Sequence, residues 1–369
     1  MVRLPATLMR GGTSKCWVFD ADDLSMADDR LDEVLASAFG AADPRQIDGV
    51  GGATSTTSKA VIVGPSREPG TDVDYLFAQV GIGTFGVEWG SNCGNCATAV
   101  GLYALQTGLA TPGDPVSTVR LRNRNTGVRL SATVPTPGGT VPELGSATVP
   151  GSSAEGVPVG LGFASPGGAS TGALLPTGDS VERVDGALAT LVDAGAPAAL
   201  AEAASVGASG LETVEEFAAL VPRLALLRRA AALRMGLVGP DDPVTFAVPK
   251  VGVVAPAGDY VTSLGVPVRA DAYDLAVRMV SMHAPHPVIG LTSAVAVAAA
   301  AMTPGTLPAK LAENRPLAST IRLGTPAGIV EAEVTTDHAG AIDTVTLHRA
   351  ARRLATAELL VPALLRESV

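Results

Sequence analysis

A cysteine flanked by glycine and asparagine stands at the start of a predicted buried helix. Residues 92–95 read Asn-Cys-Gly-Asn, and a run of small and apolar residues follows them as far as Gly108. The first turn of a helix offers free N–H groups and the positive end of the helix dipole, which bind carboxylates and lower the pKa of a thiol placed there. Cys93 is therefore a candidate for chemistry. The alternative is a packing role, which is the interpretation that Cys96 keeps.

A lone lysine ends a run of hydroxyl residues before a predicted strand. Residues 51–59 read Gly-Gly-Ala-Thr-Ser-Thr-Thr-Ser-Lys. Hydroxyls such as that of Ser58 can hydrogen-bond carboxylates, and a desolvated lysine at position 59 can act as a base. The alternative is a solvated Ser/Thr turn with an extended lysine. The segment is not a phosphate-binding loop of the GxxxxGK[ST] type.

Two further groups of polar residues are weaker candidates. Residues 9–15 read Met-Arg-Gly-Gly-Thr-Ser-Lys, in which Arg10 could bind a carboxylate with two hydrogen bonds. The alternative for this segment is a hairpin turn between edge strands. His283 and His286 precede a second helix that a glycine turn introduces, although isolated histidines are more often structural or solvated.

Several chemistries lack their sequence signature. The chain has no G-x-S-x-G turn, and no GxGxxG follows a predicted strand, so neither a hydrolase triad nor a dinucleotide fold is indicated. Cys93 and Cys96 have no second cysteine pair or His pair at zinc-ligand spacing, so we predict no metal. We also predict no cofactor.

The overall composition narrows the class of protein. Hydrophobic residues make up 47% of the 369 residues and charged residues 17%, which suits packed cores of about two domains. The net charge of −10, without a basic run, argues against nucleic-acid binding. No apolar stretch is long enough for a signal peptide or a membrane span. Three cysteines are too few for a disulfide framework, and we expect a cytoplasmic protein.

The chemically interesting segments fall at matching places in two halves. In the first half, strands predicted at 60–63 and 74–80 lead to a buried helix over 96–105 with Gly108 as its C-cap. In the second half, strands predicted at 244–254 and 260–262 and a helix at 270–281 lead to a second buried helix over 293–302. Two buried helices entered through glycine turns suggest two similar domains that face a cleft.

The remaining segments are predicted with less regular patterns. Residues 136–170 are rich in Gly, Pro, Ser and Thr and form either a linker or short hairpins, with strands open at 147–149 and 157–159. The alanine- and leucine-rich stretch 181–236 predicts helices. A strand at 342–347 and a helix at 350–360 end the chain.

The order of these motifs resembles one family over nearly the full length. The segments RGGTSK at 10–15, GG-x-x-STTSK at 51–59 and NCGN at 92–95 are similar to those of the PrpF-type isomerases, which include 2-methylaconitate cis-trans isomerase and 4-oxalomesaconate tautomerase. Further similar segments are RNRNT at 122–126, LLPTG at 174–178, RMG at 234–236, TPGT at 303–306 and RAARR at 349–353.

The resemblance implies a fold. It is an α+β, diaminopimelate epimerase-like fold of two similar domains, each with a mostly antiparallel sheet wrapped around a central buried helix, and with the active site in the cleft between them. We expect the first domain at residues 1–175, completed by 350–369, and the second at 176–349.

The resemblance also implies an activity, a cofactor-independent isomerisation of a small unsaturated tricarboxylate by allylic proton transfer. It assigns the catalytic pair to Lys59 and Cys93, with Lys59 the preferred base and the opposite assignment open. Substrate-binding roles are expected for Arg10, Ser14, Ser58, Gly94, Asn95, His283, Thr292 and Ser293. The alternatives are a catalytically silent ligand-binding protein and an amino-acid racemase, although the second helix entrance lacks the thiol that a two-cysteine racemase needs. We expect a homodimer, because twofold dimers are the commonest oligomers.

Two places depart from the family pattern. Cys16 stands where a glycine is common after RGGTSK, and residues 323–328 lack the histidine of a His-Pro-Ser-Gly-like stretch. Both differences bear on which acid is the substrate and leave open the choice between geometric isomerisation and double-bond migration.

Overall fold

The chain divides into two compact units. The computed structural model describes residues 2–24, 30–89, 93–242, 248–312 and 319–362. Unit 1 comprises Met1–Leu161 and Arg349–Val369, and unit 2 comprises Gly162–His348. The sequence-based boundary lay instead at residue 175. Residues 166–175 belong to unit 2 because their backbone bonds to a strand of that unit, with Asp193 N donating to Leu174 O (2.9 Å).

Unit 1 is a sheet that surrounds one buried helix. Its elements are β1 (Val2–Gly11), β2 (Ser14–Asp20), α1 (Ala21–Leu24), α2 (Leu31–Phe39), β3 (Lys59–Pro65), β4 (Val73–Val80), β5 (Val87–Glu88), α3 (Gly94–Thr107), β6 (Val116–Asn123), β7 (Arg129–Pro135), β8 (Ala147–Val149) and β9 (Ser152–Ala164). Neighbouring strands pair in the order β1, β2, β3, β4, β6, β7 and β9. The pairs β2–β3 and β4–β6 are parallel, and β1–β2, β3–β4 and β6–β7 are antiparallel. Helix α3 contacts β1, β2, β3, β4, β6 and β7.

Unit 2 repeats this plan. Its elements are β10 (Glu182–Val184), β11 (Ala187–Ala194), β12 (Ala196–Glu202), α4 (Val214–Ala218), α5 (Val221–Arg234), β13 (Lys250–Pro256), β14 (Tyr260–Val261), β15 (Pro267–Val268), β16 (Leu275–Ser281), β17 (Ala284–Pro285), α6 (Leu291–Ala301), α7 (Leu307–Leu311), β18 (Thr320–Thr325), β19 (Gly328–Thr336) and the first part of β20 (Ile342–Val361). From Arg349 onward, β20 belongs to unit 1. The pairs β12–β13 and β16–β18 are parallel. Helix α6 contacts β11, β12, β18 and β19.

Matching ion pairs show how closely the two units correspond. In unit 1, Asp72 accepts two hydrogen bonds from the Arg120 guanidinium and one from the Arg120 backbone N–H. In unit 2, Asp274 accepts the same three bonds from Arg322. Each aspartate lies just before its strand, β4 or β16, and 48 residues before its arginine. The correspondence therefore extends to single side chains.

Three segments predicted as helices are strands. Residues 275–281 form β16, with only a short 3-10 turn before it at Ala270–Ala272. The stretch 181–236 contains β10, β11 and β12 before helices α4 and α5. The predicted helix at 350–360 is part of β20, which pairs with β1 along ten residues of that strand. Alanine and leucine favour helices locally, but cross-strand pairing overrides that weak preference.

The other elements lie close to their predicted positions. The two buried helices are α3 and α6, and Gly108 ends α3 with a left-handed φ of 81°. The strand at 147–149 is β8, and the strand at 157–159 is the middle of a longer β9. Residues 243–247 at the start of the predicted strand 244–254 lie outside the described residues, and β13 begins at Lys250. Within the described ranges, no helix has the length and hydropathy that a bilayer span requires.

Close packing of α3 on the sheet predicts the effect of one substitution. A Cβ on Gly101 would lie 2.3 Å from the Cβ of Ala132 in β7. We expect Gly101→Ala to lower the free energy of unfolding by about 1–3 kcal/mol through overpacking, although alanine is about 1 kcal/mol better than glycine in a helix. Urea unfolding measures the change. Adding Ala132→Gly should recover part of the loss, and a stabilising Gly101→Ala substitution would contradict the packing.

Candidate active site

Helix α3 begins at Gly94, directly after Cys93. Cys93 is the N-cap residue, has an extended backbone (φ −119°, ψ 102°) and makes no capping hydrogen bond with its side chain. Ala97 N donates to Cys93 O (2.9 Å), so the regular helix bonds begin there. The amides of Gly94 and Asn95 belong to the first turn, whose N–H groups have no partner within a helix and point towards its positive end. Cys93, Gly94 and Asn95 are all half-buried.

The β1–β2 turn holds this helix start in place. A Cβ on Gly11 would lie 1.9 Å from the backbone oxygen of Asn95, so only glycine permits the contact. The Asn95 side-chain amide donates to the hydroxyl oxygens of Thr13 (3.1 Å) and Ser14 (3.4 Å). Ser14 itself is buried. The motif at residues 9–15 is thus a hairpin turn that also supplies hydroxyl groups to the helix start.

Lys59 is the first residue of β3 and is buried, with 8% of its surface exposed. Its Nζ donates to Gln79 Oε1 (2.7 Å) and lies 4.9 Å from the centre of the Phe77 ring. The Gln79 amide donates in turn to Ser58 O (2.9 Å). These contacts fix the ammonium group at one end of the strand.

Two glutamines that the sequence did not single out support this arrangement. Gln79 lies directly opposite Lys59 in the antiparallel β3–β4 pair. Gln46 is buried, and its Oε1 accepts from the Ser58 hydroxyl (2.5 Å) and from Ala53 N (2.7 Å). The alternation of side chains along the strand opposite Lys59 could have indicated Gln79 from the sequence. No sequence pattern near Gln46 indicates a role for that residue. Because Ser58 is fully buried and bonded to Gln46, the structure gives it a role in shaping the loop, not the predicted contact with substrate.

The thiols differ from the sequence-based expectation. A hydrogen bond with the Cys96 thiol, followed by burial, raises the pKa of Cys93 well above its ordinary value, and the nearby charge of Lys59 lowers it less. Burial raises the pKa of Cys96 as well. The expectation that the helix start would lower the pKa of Cys93 is therefore wrong, because dipole stabilisation is outweighed. Cys93 carries its proton near neutral pH.

Arg10 does not join this group. Side chains alternate along β1, and the neighbouring residue Gly11 faces α3, so Arg10 lies on the opposite face of the sheet. Its cross-strand partners are Lys15 and Arg352. The guanidinium donates to Gly12 O (3.0 Å) and to the backbone oxygen of residue 155 (3.0 Å). Arg10 therefore stabilises the hairpin turn on the sheet face opposite α3.

Three predicted site residues belong to unit 2. Thr292 and Ser293 lie in the first turn of α6, whose N-cap is Gly290. Ser293 is buried and Thr292 half-buried, and His283 is exposed in the turn that joins β16 to β17. His286 uses Nδ1 to accept from Val288 N (3.0 Å), which is a local structural role. Among the residues that the structure describes, no three His, Cys, Asp or Glu side chains form a group that could hold a metal ion.

Known proteins are similar in sequence to this chain over nearly their whole length. The PrpF protein family matches residues 1–362. A 2-methyl-aconitate isomerase from Cupriavidus necator is 37% identical, with 98% of each chain covered. A (4E)-oxalomesaconate Delta-isomerase from Novosphingobium sp. (strain KA1) is 36% identical, with 95% of each chain covered.

Solved structures of other proteins have the same fold as this chain. A methylitaconate-delta-isomerase superposes with a TM-score of 0.88 at 31% identity, covering 97% of this chain and 95% of the other. A proline racemase and a hydroxyproline epimerase, at 13% and 12% identity and TM-scores of 0.51 and 0.52, share the fold alone.

The fold and these similarities define an isomerase of the two-unit, diaminopimelate epimerase-like class. The chain belongs to the PrpF family. The sequence-based family, fold class and enzyme class are thereby confirmed. The roles of individual residues stay predictions.

Alkylation of Cys93 tests the causes of its raised pKa. Thiolate is the species that reacts with iodoacetamide, so we expect slow labelling at pH 7 and faster labelling well above pH 9. Cys96→Ala removes the hydrogen bond that raises the pKa and should speed labelling at pH 8, whereas Lys59→Met removes the lowering charge and should slow it. Mass spectrometry of the Cys93 peptide gives the rates. Equal rates in all three proteins would contradict this description.

Proposed function

We propose that this chain isomerises a small unsaturated tricarboxylate, such as 2-methylaconitate or 4-oxalomesaconate, by allylic proton transfer between Lys59 and Cys93. The observation that supports the proposal is that the charge of Lys59, a buried residue at the start of β3, acts on the thiol of Cys93, the N-cap residue of α3. The named activities of the two similar isomerases, from Cupriavidus necator and Novosphingobium, support the substrate class.

The proton transfers balance within this pair. The fraction of the protein in which Lys59 is a neutral amine is the reactive form. That amine takes a proton from the carbon next to a conjugated carboxylate or keto group, and the electron pair of that C–H bond spreads into a dienolate. The Cys93 thiol then gives its proton to the dienolate and becomes a thiolate. Proton transfer from the Lys59 ammonium to the Cys93 thiolate restores both groups. No group is oxidised or transferred to the protein.

The raised pKa of the Cys93 thiol supports the assignment of Cys93 as the acid and Lys59 as the base. Because its pKa is raised, Cys93 holds a proton at neutral pH and suits the acid role. The thiolate that it leaves is stabilised by the adjacent Lys59 ammonium, which lowers the cost of the second step. Gln79 accepts a hydrogen bond from Lys59 and so directs its Nζ. A role exchange, with Cys93 as base, would require the thiolate to be the resting form.

Carboxylate binding explains how a protein with a net charge of −10 holds a polyanion. We propose that the free amides of Gly94 and Asn95 and the Ser14 hydroxyl bind one carboxylate beside the dienolate. Helix starts bind anions through oriented N–H groups without a charged side chain. In unit 2 we propose that Thr292 and Ser293, at the start of α6, bind a further carboxylate, with His283 as an additional donor.

A symmetric racemase mechanism lacks support in these residues. Such a mechanism needs a second thiol at the start of α6. That position holds Gly290, and the first turn continues with Leu291, Thr292 and Ser293. All three cysteines lie in unit 1, at positions 16, 93 and 96. The proposed proton carriers are therefore unlike each other.

Two expectations accompany the proposal. The three thiols are free, as a reducing compartment would keep them, and we propose a cytoplasmic location. A homodimer stays a prediction from the frequency of twofold oligomers, and light scattering on the purified protein measures it.

Substitution of the two proton carriers tests the function. We expect Lys59→Met and Cys93→Ala each to lower kcat/KM for 2-methylaconitate or 4-oxalomesaconate by about 10²–10⁴-fold, the usual contribution of a positioned acid or base. Lys15→Met is the matched control, because Lys15 is exposed on the opposite face of the hairpin and should leave activity unchanged. Turnover is followed by proton NMR of substrate and product.

Two results would contradict the proposal. Wild-type protein that binds these acids by calorimetry without converting either of them would indicate a silent ligand-binding protein. A Lys59→Met protein with wild-type turnover would remove Lys59 from the chemistry.

A further inference from the structure

The side chain opposite Lys59 is an amide and not a carboxylate. Gln79 is the register partner of Lys59 in the β3–β4 pair, and its Oε1 accepts a hydrogen bond from Lys59 Nζ (2.7 Å). The Phe77 ring is a second neutral neighbour, with its centre 4.9 Å from Nζ. Within the described ranges, no carboxylate forms an ion pair with Lys59. Buried lysines usually have an anionic partner, so a neutral partner at this position calls for a physical reason.

Three thiols belong to the elements that pack around Lys59. Its charge acts on Cys93 and Cys96 at the start of α3. Cys16 of β2 lies on the same sheet face as Lys59, as the register of the parallel β2–β3 pair requires. The raised pKa values of Cys93 and Cys96 keep both thiols protonated near neutral pH. Neither thiol of α3 therefore acts as a counter-ion for Lys59 under those conditions.

One carboxylate shares this sheet face at a greater distance. Glu88 of β5 is the register partner of Gln79, so it lies one strand further from Lys59. Its side chain is exposed to solvent. Gln79 therefore lies between Lys59 and the carboxylate of Glu88.

The backbone of Ser58 sets the orientation of the Gln79 amide. Gln79 Nε2 donates to Ser58 O (2.9 Å), which also accepts from Val80 N (3.1 Å). Because a carbonyl oxygen only accepts, the NH₂ group of the amide must face Ser58 and Oε1 must face Lys59. The reversed amide would direct an N–H group at the lone pair of a neutral Lys59 amine. The fixed orientation therefore leaves that lone pair free to take a proton.

A buried glutamine holds Ser58 in turn. Gln46 has a left-handed backbone (φ 53°), which is unfavourable for a residue other than glycine. Its Oε1 accepts from the Ser58 hydroxyl (2.5 Å), and its Nε2 donates to Gly81 O (2.9 Å), directly after β4. A Cβ on Gly51 would lie 2.1 Å from Gln46 Oε1, so this glycine of the GG-x-x-STTSK segment leaves room for the amide. Such backbone strain persists where surrounding contacts fix it, and it is commonest at functional sites.

We propose that Gln79 is a positioning residue for Lys59, whose neutral amide holds the amine in place without stabilising the ammonium as a carboxylate would. A carboxylate in contact with the lysine would favour its charged form and leave less neutral amine to take the substrate proton. The amide oxygen accepts from the ammonium and from the amine alike, so Nζ keeps one direction in both states. The inference rests on the proposed function, since it concerns the base of that reaction.

Two substitutions at position 79 separate charge from packing. Gln79→Glu and Gln79→Met both remove the donor to Ser58 O, but only Gln79→Glu adds a carboxylate next to Lys59. We expect Gln79→Glu to displace the rise of kcat/KM with pH, measured with 2-methylaconitate, by about one pH unit or more towards alkaline values. Gln79→Met should leave that rise in place and lower kcat about 10- to 100-fold, because Nζ loses its fixed direction. Gln106→Glu makes the same change in the last turn of α3 and should leave the pH profile unchanged.

Acetylation of Lys59 tests the inference apart from the proposed function. Acetic anhydride reacts with the neutral amine, and the exposed Lys15 and Lys310 serve as internal references for mass spectrometry. At pH 8, labelling of Lys59 relative to Lys15 should fall about 10-fold or more in Gln79→Glu and should not fall in Gln79→Met. If wild type converts no acid but this fall occurs, the proposed function fails and the role of Gln79 as a neutral partner stands.

Two results would overturn the inference. Equal pH profiles and equal Lys59 labelling in Gln79→Glu and Gln79→Met, with only a lower melting temperature in each, would give Gln79 a structural role. Wild-type kcat in Gln79→Met would show that Lys59 needs no fixed direction, whatever the behaviour of Gln79→Glu.

Discussion

The close approach of a hairpin turn to a helix start is the constraint on which the rest of the site depends. The backbone of Gly11 lies so near the Asn95 carbonyl that no side chain fits between them. This contact joins the strand pair that leads into β3 to the first turn of α3. As a result, a lysine at the start of β3 and a cysteine at the helix N-cap act on one another electrostatically.

The same constraint recurs in unit 2, where Gly195 approaches Thr292 and Val295. Lack of space explains the glycine at position 11, and at position 195 the left-handed φ of 67° is a second reason. What the two units place around the shared geometry differs. Unit 1 supplies a thiol and an amide side chain, and unit 2 supplies hydroxyl groups. In the proposed function, the geometry that the two units share serves proton transfer in unit 1 and anion binding in unit 2.

Sequence patterns predicted the parts of the fold that local chemistry governs. Helices α3 and α6 are apolar on every side, and both were correctly predicted from that pattern. Strands β11, β12 and the second half of β20 were missed because their alanine and leucine content favours helix, whereas pairing partners far along the chain decide the outcome. The Asp185-Gly186 turn, with φ values of 49° and 81°, is typical of a two-residue hairpin and could have indicated the strands on either side.

The sequence named candidate residues for the site but not their electrostatics or the faces on which they lie. The charge of Lys59 acts on Cys93, and the catalytic roles of both stay predictions. Arg10 faces away from α3 because of strand alternation, which requires the register to be known. The raised pKa of Cys93 depends on Cys96 one helical turn later, a contact that no motif states.

Deuterium exchange tests the separate roles of Lys59 and Cys93 most directly. In D₂O, the Cys93→Ala protein should still incorporate deuterium into recovered substrate, because Lys59 removes and returns the proton. The same protein should form little isomer. Lys59→Met protein should do neither. Undiminished exchange in Lys59→Met protein, read by mass spectrometry of the recovered acid, would contradict the account.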